Sequence, residues 1–301
     1  MKINQEWKDA IVHLRIHFSL LLMPVFFFAV SQSFHQPIEE ILVMFLLLHL
    51  LVYPASNAYN SFHDNDSTSV GGLKSPPHIN AKVLLLANLF DILCLSITIA
   101  IMGFGLFLLL LAYIITSRAY SHRKIRLKKY PYIGFLVIFI FQGAFTYYLS
   151  SAGIGQYWGK PCSSIGWKSY MSFFDYHLFA LSATSFQIGA IYPLTQIYQH
   201  ESDIADGVTT LSYKLGYKGT FIFSAVFFAI ATTFYFLHFK EKDIESFYLL
   251  MIAQAPIVLY FLYWAYKVWK DIKHADYKHT MTMNVVSAVC LNLLFLYLII
   301  K

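Results

Sequence analysis

The chain has 301 residues, 58% of them hydrophobic and 13% charged. Soluble domains average about 45–50% apolar and about 25% charged residues, and a soluble core of this size does not absorb so much apolar surface. The net charge of +6 does not point to nucleic acid, because the Lys and Arg lie in short loops between apolar segments.

Each crossing of a bilayer needs ~20 mostly apolar residues. Nine such segments follow in order, at about 15–33, 38–58, 82–101, 104–121, 131–150, 172–199, 219–239, 247–268 and 281–300. The first starts near Leu14 and is followed by more spans, so it reads as a crossing and not as a cleaved leader. Only Met102-Gly103-Phe104-Gly105 separates the third from the fourth, which predicts a tight helical hairpin. The expected fold is all-α: a nine-helix transmembrane bundle around a central cavity capped by cytoplasmic loops, in one domain over residues 1–301. Cys94 and Cys290 fall inside apolar segments and Cys162 lies alone in a loop, so neither a disulfide nor a thiolate metal site is expected.

The basic residues set the orientation. With nine spans and a cytoplasmic N-terminus, 17 of the 22 Lys and Arg fall on the inside. The ends of helices 2, 4 and 6 then share the cytoplasmic face, where three loops can roof one cavity.

Two of those ends are acidic, in a chain with only 16 Asp and Glu. Asn57, Asn60 and Asp64 follow the spacing i, i+3, i+7, and Gln196, Gln199 and Asp203 repeat it, which on a helix makes one polar stripe. Asp66 adds an acid to the first cluster; Glu201 and Asp206 flank the second. Each cluster supplies oxygen ligands suited to Mg²⁺, which is usually held by one or two carboxylates plus substrate phosphate oxygens. Two such ions, one per cluster, would clamp a diphosphate. A solvated helix end is the plain alternative for either cluster alone. Lys74 lies in the loop after the first cluster, which reads Gly71-Gly72-Leu73-Lys74-Ser75-Pro76-Pro77.

The end of helix 4 is the densest basic stretch, with Arg118, Arg123, Lys124, Arg126, Lys128 and Lys129. Most of these are accounted for as a topology signal meeting anionic headgroups. Tyr120 and Lys124 are expected one helical turn apart, with the cation placed to stabilise a departing diphosphate. Asp91, inside the third span, either faces substrate or pairs within the bundle. Gln187 and other intramembrane amides are expected to bridge helices. His63 and His200 sit beside the acidic clusters and read as interfacial side chains before they read as bases or ligands. The 28 Phe and 22 Tyr are expected to face lipid or to pack, some of them lining a pocket for an isoprenoid tail.

This pattern resembles the UbiA superfamily of intramembrane prenyltransferases. Its members have nine transmembrane helices and two acidic motifs, N-D-x-x-D-x-x-x-D and D-x-x-x-D-x-x-x-D, at the cytoplasmic ends of helices 2 and 6. A third motif, Y-x-x-x-K, follows helix 4. Asn60 and Asp64 match the first motif, with Ser61 and Thr68 in place of two acids. Asp203 matches the centre of the second, with Gln199 replacing the preceding Asp and Gly207 four residues on. Tyr120 and Lys124 match the third.

The resemblance implies a Mg²⁺-dependent transferase that ionises an isoprenyl diphosphate and directs the cation onto a lipophilic acceptor, aromatic or otherwise. Asp64, Asp203, Lys124 and Tyr120 are the expected catalytic residues. Asn60, Asp64, Asp66, Gln199, Glu201 and Asp203 would hold metal, and Asn60, Lys74, Arg123, Lys124, Arg126 and Lys128 would hold diphosphate. The loop after the first motif lacks the Arg-Pro pair of many quinone and chlorophyll branches, so the acceptor stays open. A terpene cyclase of the same superfamily, a transporter and a noncatalytic membrane protein are the competing readings.

Overall fold

The computed structural model describes residues 5–33, 37–65, 68–154 and 167–301, with side-chain surroundings described for the last segment from residue 175. Asp66 and Cys162 lie outside the described residues. Among the described residues nine helices are long and apolar enough to cross a membrane: α1 Gln5–Ser31, α2 Ile38–Asp64, α3 Ala81–Met102, α4 Phe104–Ser121, α5 Pro131–Ala152, α6 Asp175–Ala205, α7 Leu211–Phe239, α8 Ile244–Lys270 and α9 Tyr277–Ile300. Several run past the apolar windows of the sequence. Helical hydrogen bonding continues through polar residues once the chain leaves hydrocarbon, so hydropathy marks the membrane and not the helix end.

Contacts divide the chain into two units. The first comprises Met1–Leu22, Ser33–Leu127 and Leu149–Ser164. Lipid is as apolar as Leu, so close packing and polar ties do most of the work of joining helices. Small residues provide the packing: Ala10, Ala58 and Ala87 are fully buried where α1, α2 and α3 meet. Polar ties join α1 to α2, where the Ser19 hydroxyl donates to the His49 carbonyl at 2.7 Å and His49 Nδ1–H donates back to the Ser19 carbonyl at 3.1 Å. On α2 and α4, Ser117 donates to Ser56 at 2.9 Å and Asn60 donates to Ser121 at 3.2 Å. The paired positions rise together, so α2 and α4 run parallel and end on the same side.

Asp91 is paired inside this unit. Arg118 Nε–H donates to its carboxylate at 2.9 Å, and a second guanidinium nitrogen bonds both that carboxylate and the Ala87 carbonyl. The guanidinium also lies over the Tyr59 ring, 3.8 Å from its centroid. Arg118 is thus a structural partner of Asp91, beyond the topology role expected of it. Of the two roles open to Asp91, facing substrate or pairing within the bundle, the helix-to-helix ion pair is the one observed.

The second unit comprises Met23–Gln32, Lys128–Tyr148 and Ile165–Lys301. Its α5 opens at Gly143, which has φ −93° and ψ −105°. A Cβ there would sit 2.4 Å from Ser185 Cα, so only glycine permits the approach of α5 to α6. The Ser185 hydroxyl accepts from the Ala144 N–H at 3.0 Å and so satisfies a donor near the break. Aromatic rings fill the interior. Phe28 is fully buried against the rings of Tyr147, Tyr235, His238 and Phe295. Gln187 on α6 accepts from the Tyr235 hydroxyl on α7, a bridge of the kind expected for an intramembrane amide.

Candidate functional site

The first acidic segment is the last turn of α2. Asn65 takes a left-handed conformation, φ 53°, and its N–H caps the Ser61 carbonyl at 3.0 Å. Asn tolerates that conformation better than most residues, so the helix stops just after Asp64. Asp64 is only 7% exposed. Its carboxylate lies 3.4 Å from an Arg126 guanidinium nitrogen. Arg123 Nε–H donates to the His63 carbonyl at 2.6 Å, and the same guanidinium reaches the Asp64 carbonyl at 3.5 Å. Cations from the end of α4 therefore cover the carbonyl end of α2, where the helix dipole is negative.

The third motif departs from expectation. α4 stops at Ser121, and the chain turns through His122, whose carbonyl accepts from the N–H groups of Ile125 and Arg126 at 3.0 and 2.8 Å. His122 Nδ1 accepts from the Lys124 N–H at 3.2 Å. Tyr120 and Lys124 are consequently not one turn apart on a continuous helix. A side chain that bonds the backbone of its own loop competes with helix continuation. Lys124 is exposed, whereas Arg126 is buried and carries φ 48°. A non-glycine residue in that region costs about 1–3 kcal/mol and persists only where its surroundings enforce it. Here the enforced conformation belongs to the residue that meets Asp64.

Lys74 is exposed on an ordered loop. The loop is held by the start of α1: Arg15 donates to the Gly71 carbonyl at 3.1 Å, His17 to that of Gly72 at 2.7 Å and His13 to that of Pro77 at 3.0 Å. A second Arg15 nitrogen donates to the Asn57 carbonyl at 2.8 Å, which ties the same segment to α2. His63 stacks among the Tyr59 and His122 rings, with centroids 4.3 and 4.8 Å away.

The second acidic segment lies in the other unit. Pro193 interrupts the α6 hydrogen-bond ladder. The chain passes through a tighter turn, Ile197–Gln199, before His200–Ala205 resumes the α-helix. The spacing i, i+3, i+7 therefore does not trace one stripe of a regular helix here. Gln196 is buried, with its amide oxygen 3.5 Å from the Ser212 N–H. His200 is also buried, 2.8 Å from the Ser212 hydroxyl and packed on the Tyr217 ring. Both residues pin the start of α7. Gln199 and Asp203 are half-buried, Glu201 is exposed, and Asp203 turns the chain through its carbonyl, which accepts from Val208 N–H at 2.8 Å. Lys128 is half-buried in this unit.

The donors suit a hard cation. The Asn60 amide nitrogen is committed to Ser121, so its carbonyl oxygen is the atom that would face a metal. Asp64 supplies carboxylate oxygen one turn on, and Gln199, Glu201 and Asp203 likewise present only oxygen ligands. Such a set fits Mg²⁺ and disfavours softer ions. Ser61, where the superfamily pattern has an acid, is 1% exposed, and its hydroxyl has no hydrogen-bond partner among the described residues. It sits inside the helix packing and replaces a carboxylate that this position would have to bury.

No curated protein matches the sequence significantly. Solved structures do resemble its fold. A homologue of UbiA from Archaeoglobus fulgidus, bound to GPP and Mg²⁺, is 17% identical with a TM-score of 0.64, covering 97% of this chain and 100% of that one. A homologue from Aeropyrum pernix K1, without ligand, is 13% identical with a TM-score of 0.67, covering 95% and 98%. A structure described as a digeranylgeranylglyceryl phosphate synthase is 16% identical with a TM-score of 0.59, covering 99% and 98%. The model of the UbiA prenyltransferase family matches residues 21–288, and the chain belongs to that family.

Proposed function

We propose that this membrane enzyme transfers an isoprenyl group from an isoprenyl diphosphate to a lipophilic acceptor, and that residues 1–301 act as one functional domain. Asn60 and Asp64, with Asp66, would hold Mg²⁺ through one acidic segment; Gln199, Glu201 and Asp203 would do so through the other. Mg²⁺ supplies Lewis-acid stabilisation of the diphosphate oxygens as they take up charge. Arg126 and Arg123 supply fixed positive charge beside the same oxygens, with Lys124, Lys128 and Lys74 adding to the basic rim. The allylic C–O bond breaks and its electron pair leaves with the diphosphate. The acceptor then forms the new bond to the allylic carbon and loses a proton. Half-buried aromatic rings, such as Phe135, Phe186 and Phe227 in the second unit, offer faces to an isoprenoid cation.

The observation that carries this reading is the pairing of the Asp64 carboxylate with Arg126, beside Arg123 on the His63 and Asp64 carbonyls and Asn60 on Ser121, at the shared end of α2 and α4. Two separated motifs thereby bring an acid and two cations together, as a metal-held diphosphate requires. We also propose that this end faces the cytoplasm and that the N-terminus is cytoplasmic, on the 17-to-5 partition of Lys and Arg.

The test is purified protein with Mg²⁺ and labelled prenyl diphosphates of several chain lengths, against a membrane lipid extract, read by mass spectrometry. Transfer gives a prenylated lipid that requires the extract. A hydrocarbon or alcohol product formed equally well without extract would replace transfer by cyclisation or hydrolysis. No metal-dependent consumption of any donor would end the proposal.

A further inference from the structure

The turn from α8 to α9 carries a cluster that the prenyl-transfer reading does not use. α8 ends at Lys270, a single tight turn occupies Ile272–His274, and α9 starts at Tyr277. Asp276 caps α9 by accepting from the His279 N–H at 2.8 Å. Both of its carboxylate oxygens lie 2.9 Å from His279 Nδ1. The His274 ring meets the His279 ring edge-on, with centroids 5.4 Å apart. One ligand-capable atom from each of the three side chains lies within 4.8 Å of the others.

The cluster rests on a rigid base. Trp264, fully buried in α8, donates its indole N–H to the His274 carbonyl at 2.7 Å. The same indole runs nearly parallel to the His279 ring, at 10° and 6.4 Å between centroids. Trp264 therefore fixes the backbone of one histidine and the ring plane of the other. Helix capping alone accounts for Asp276 and His279. It gives no reason for a second imidazole to converge on them.

We infer that His274, Asp276 and His279 form a binding site for one divalent transition-metal ion of the zinc class. Two imidazoles and one carboxylate, with a fourth position for water, are a recurrent zinc donor set. Imidazole ligands disfavour Mg²⁺, which prefers oxygen. The site is thus chemically distinct from the acidic segments of α2 and α6. Zn–N bonds of about 2.0–2.1 Å put tetrahedral ligand atoms roughly 3.3 Å apart. The observed spread closes to that by side-chain rotation, since His274 and Asp276 are both half-exposed. Lys273 and Lys278, exposed on either side in sequence, weaken a cation site by like charge. Occupied, the site staples the turn to the start of α9 and stabilises the folded chain by mass action.

The experiment uses full-length protein without a polyhistidine tag, stripped with chelator and kept in detergent. Co²⁺ serves as the spectroscopic probe, and Zn²⁺ is followed by calorimetry and by thermal unfolding. The wild type should take up one equivalent of Co²⁺ with ligand-field bands that Zn²⁺ abolishes and excess Mg²⁺ does not. Zn²⁺ should raise its unfolding temperature. His274→Ala should weaken Co²⁺ binding at least about tenfold, lose the bands and lose the Zn²⁺ stabilisation. Asp64→Ala should keep all three, which separates this site from the catalytic metal. Because His279 packs on Trp264, His279→Ala could fail to fold; the half-exposed His274 keeps the test decisive. Absence of bands in the wild type, or bands that survive in His274→Ala, overturns the inference.

Discussion

Replacing Arg118 by Met leaves the Asp91 carboxylate, whose side chain is 12% exposed, without its partner inside the first unit. It also removes the donor to the Ala87 carbonyl and the cation over Tyr59. Breaking a buried pair from one side costs about 3–5 kcal/mol. The expected loss is therefore about 3–5 kcal/mol. The double variant Asp91→Leu/Arg118→Met removes both charges and should recover to within about 1 kcal/mol of wild type. Equilibrium unfolding in mixed micelles, followed by Trp fluorescence, measures all three. A single variant as stable as wild type, or a double variant no more stable than the single, would refute the ion-pair account.

Two further outcomes follow from the same geometry. Arg126→Gln should lower prenyl transfer at least tenfold and by more than Lys124→Ala, because Arg126 is buried against Asp64 and Lys124 is exposed; equal rates for the two variants at saturating donor would contradict this ranking. Gly143→Ala should destabilise the protein by about 1–3 kcal/mol, since its Cβ would fall 2.4 Å from Ser185 Cα, and an unchanged unfolding midpoint would show that α5 can shift away.

Much of the fold was legible in the sequence because a bilayer imposes one length and one polarity rule. Nine apolar windows predicted nine spans, and the parallel run of α2 and α4 agrees with the parity they implied. The motif order at helix ends was also readable. Side-chain partnerships were not. Arg118 stood in a basic run that a topology signal accounted for, and Asp91 lies 27 positions away on another helix. The break between Tyr120 and Lys124 depends on His122 bonding its own loop, which helical spacing does not encode. Gln196 reads as part of the polar stripe and His200 as an interfacial side chain, yet both are buried against the start of α7. The cluster of His274, Asp276 and His279 escaped notice because it straddles a turn and a helix start inside a lysine-rich stretch.

Mg²⁺-dependent release of diphosphate from an isoprenyl donor, compared among wild type, Asp64→Ala and Asp203→Ala, measures the central claim. The account predicts that each variant stays folded while losing turnover at least about a hundredfold, with no rescue by excess Mg²⁺. Folded variants that both turn over at the wild-type rate would contradict it.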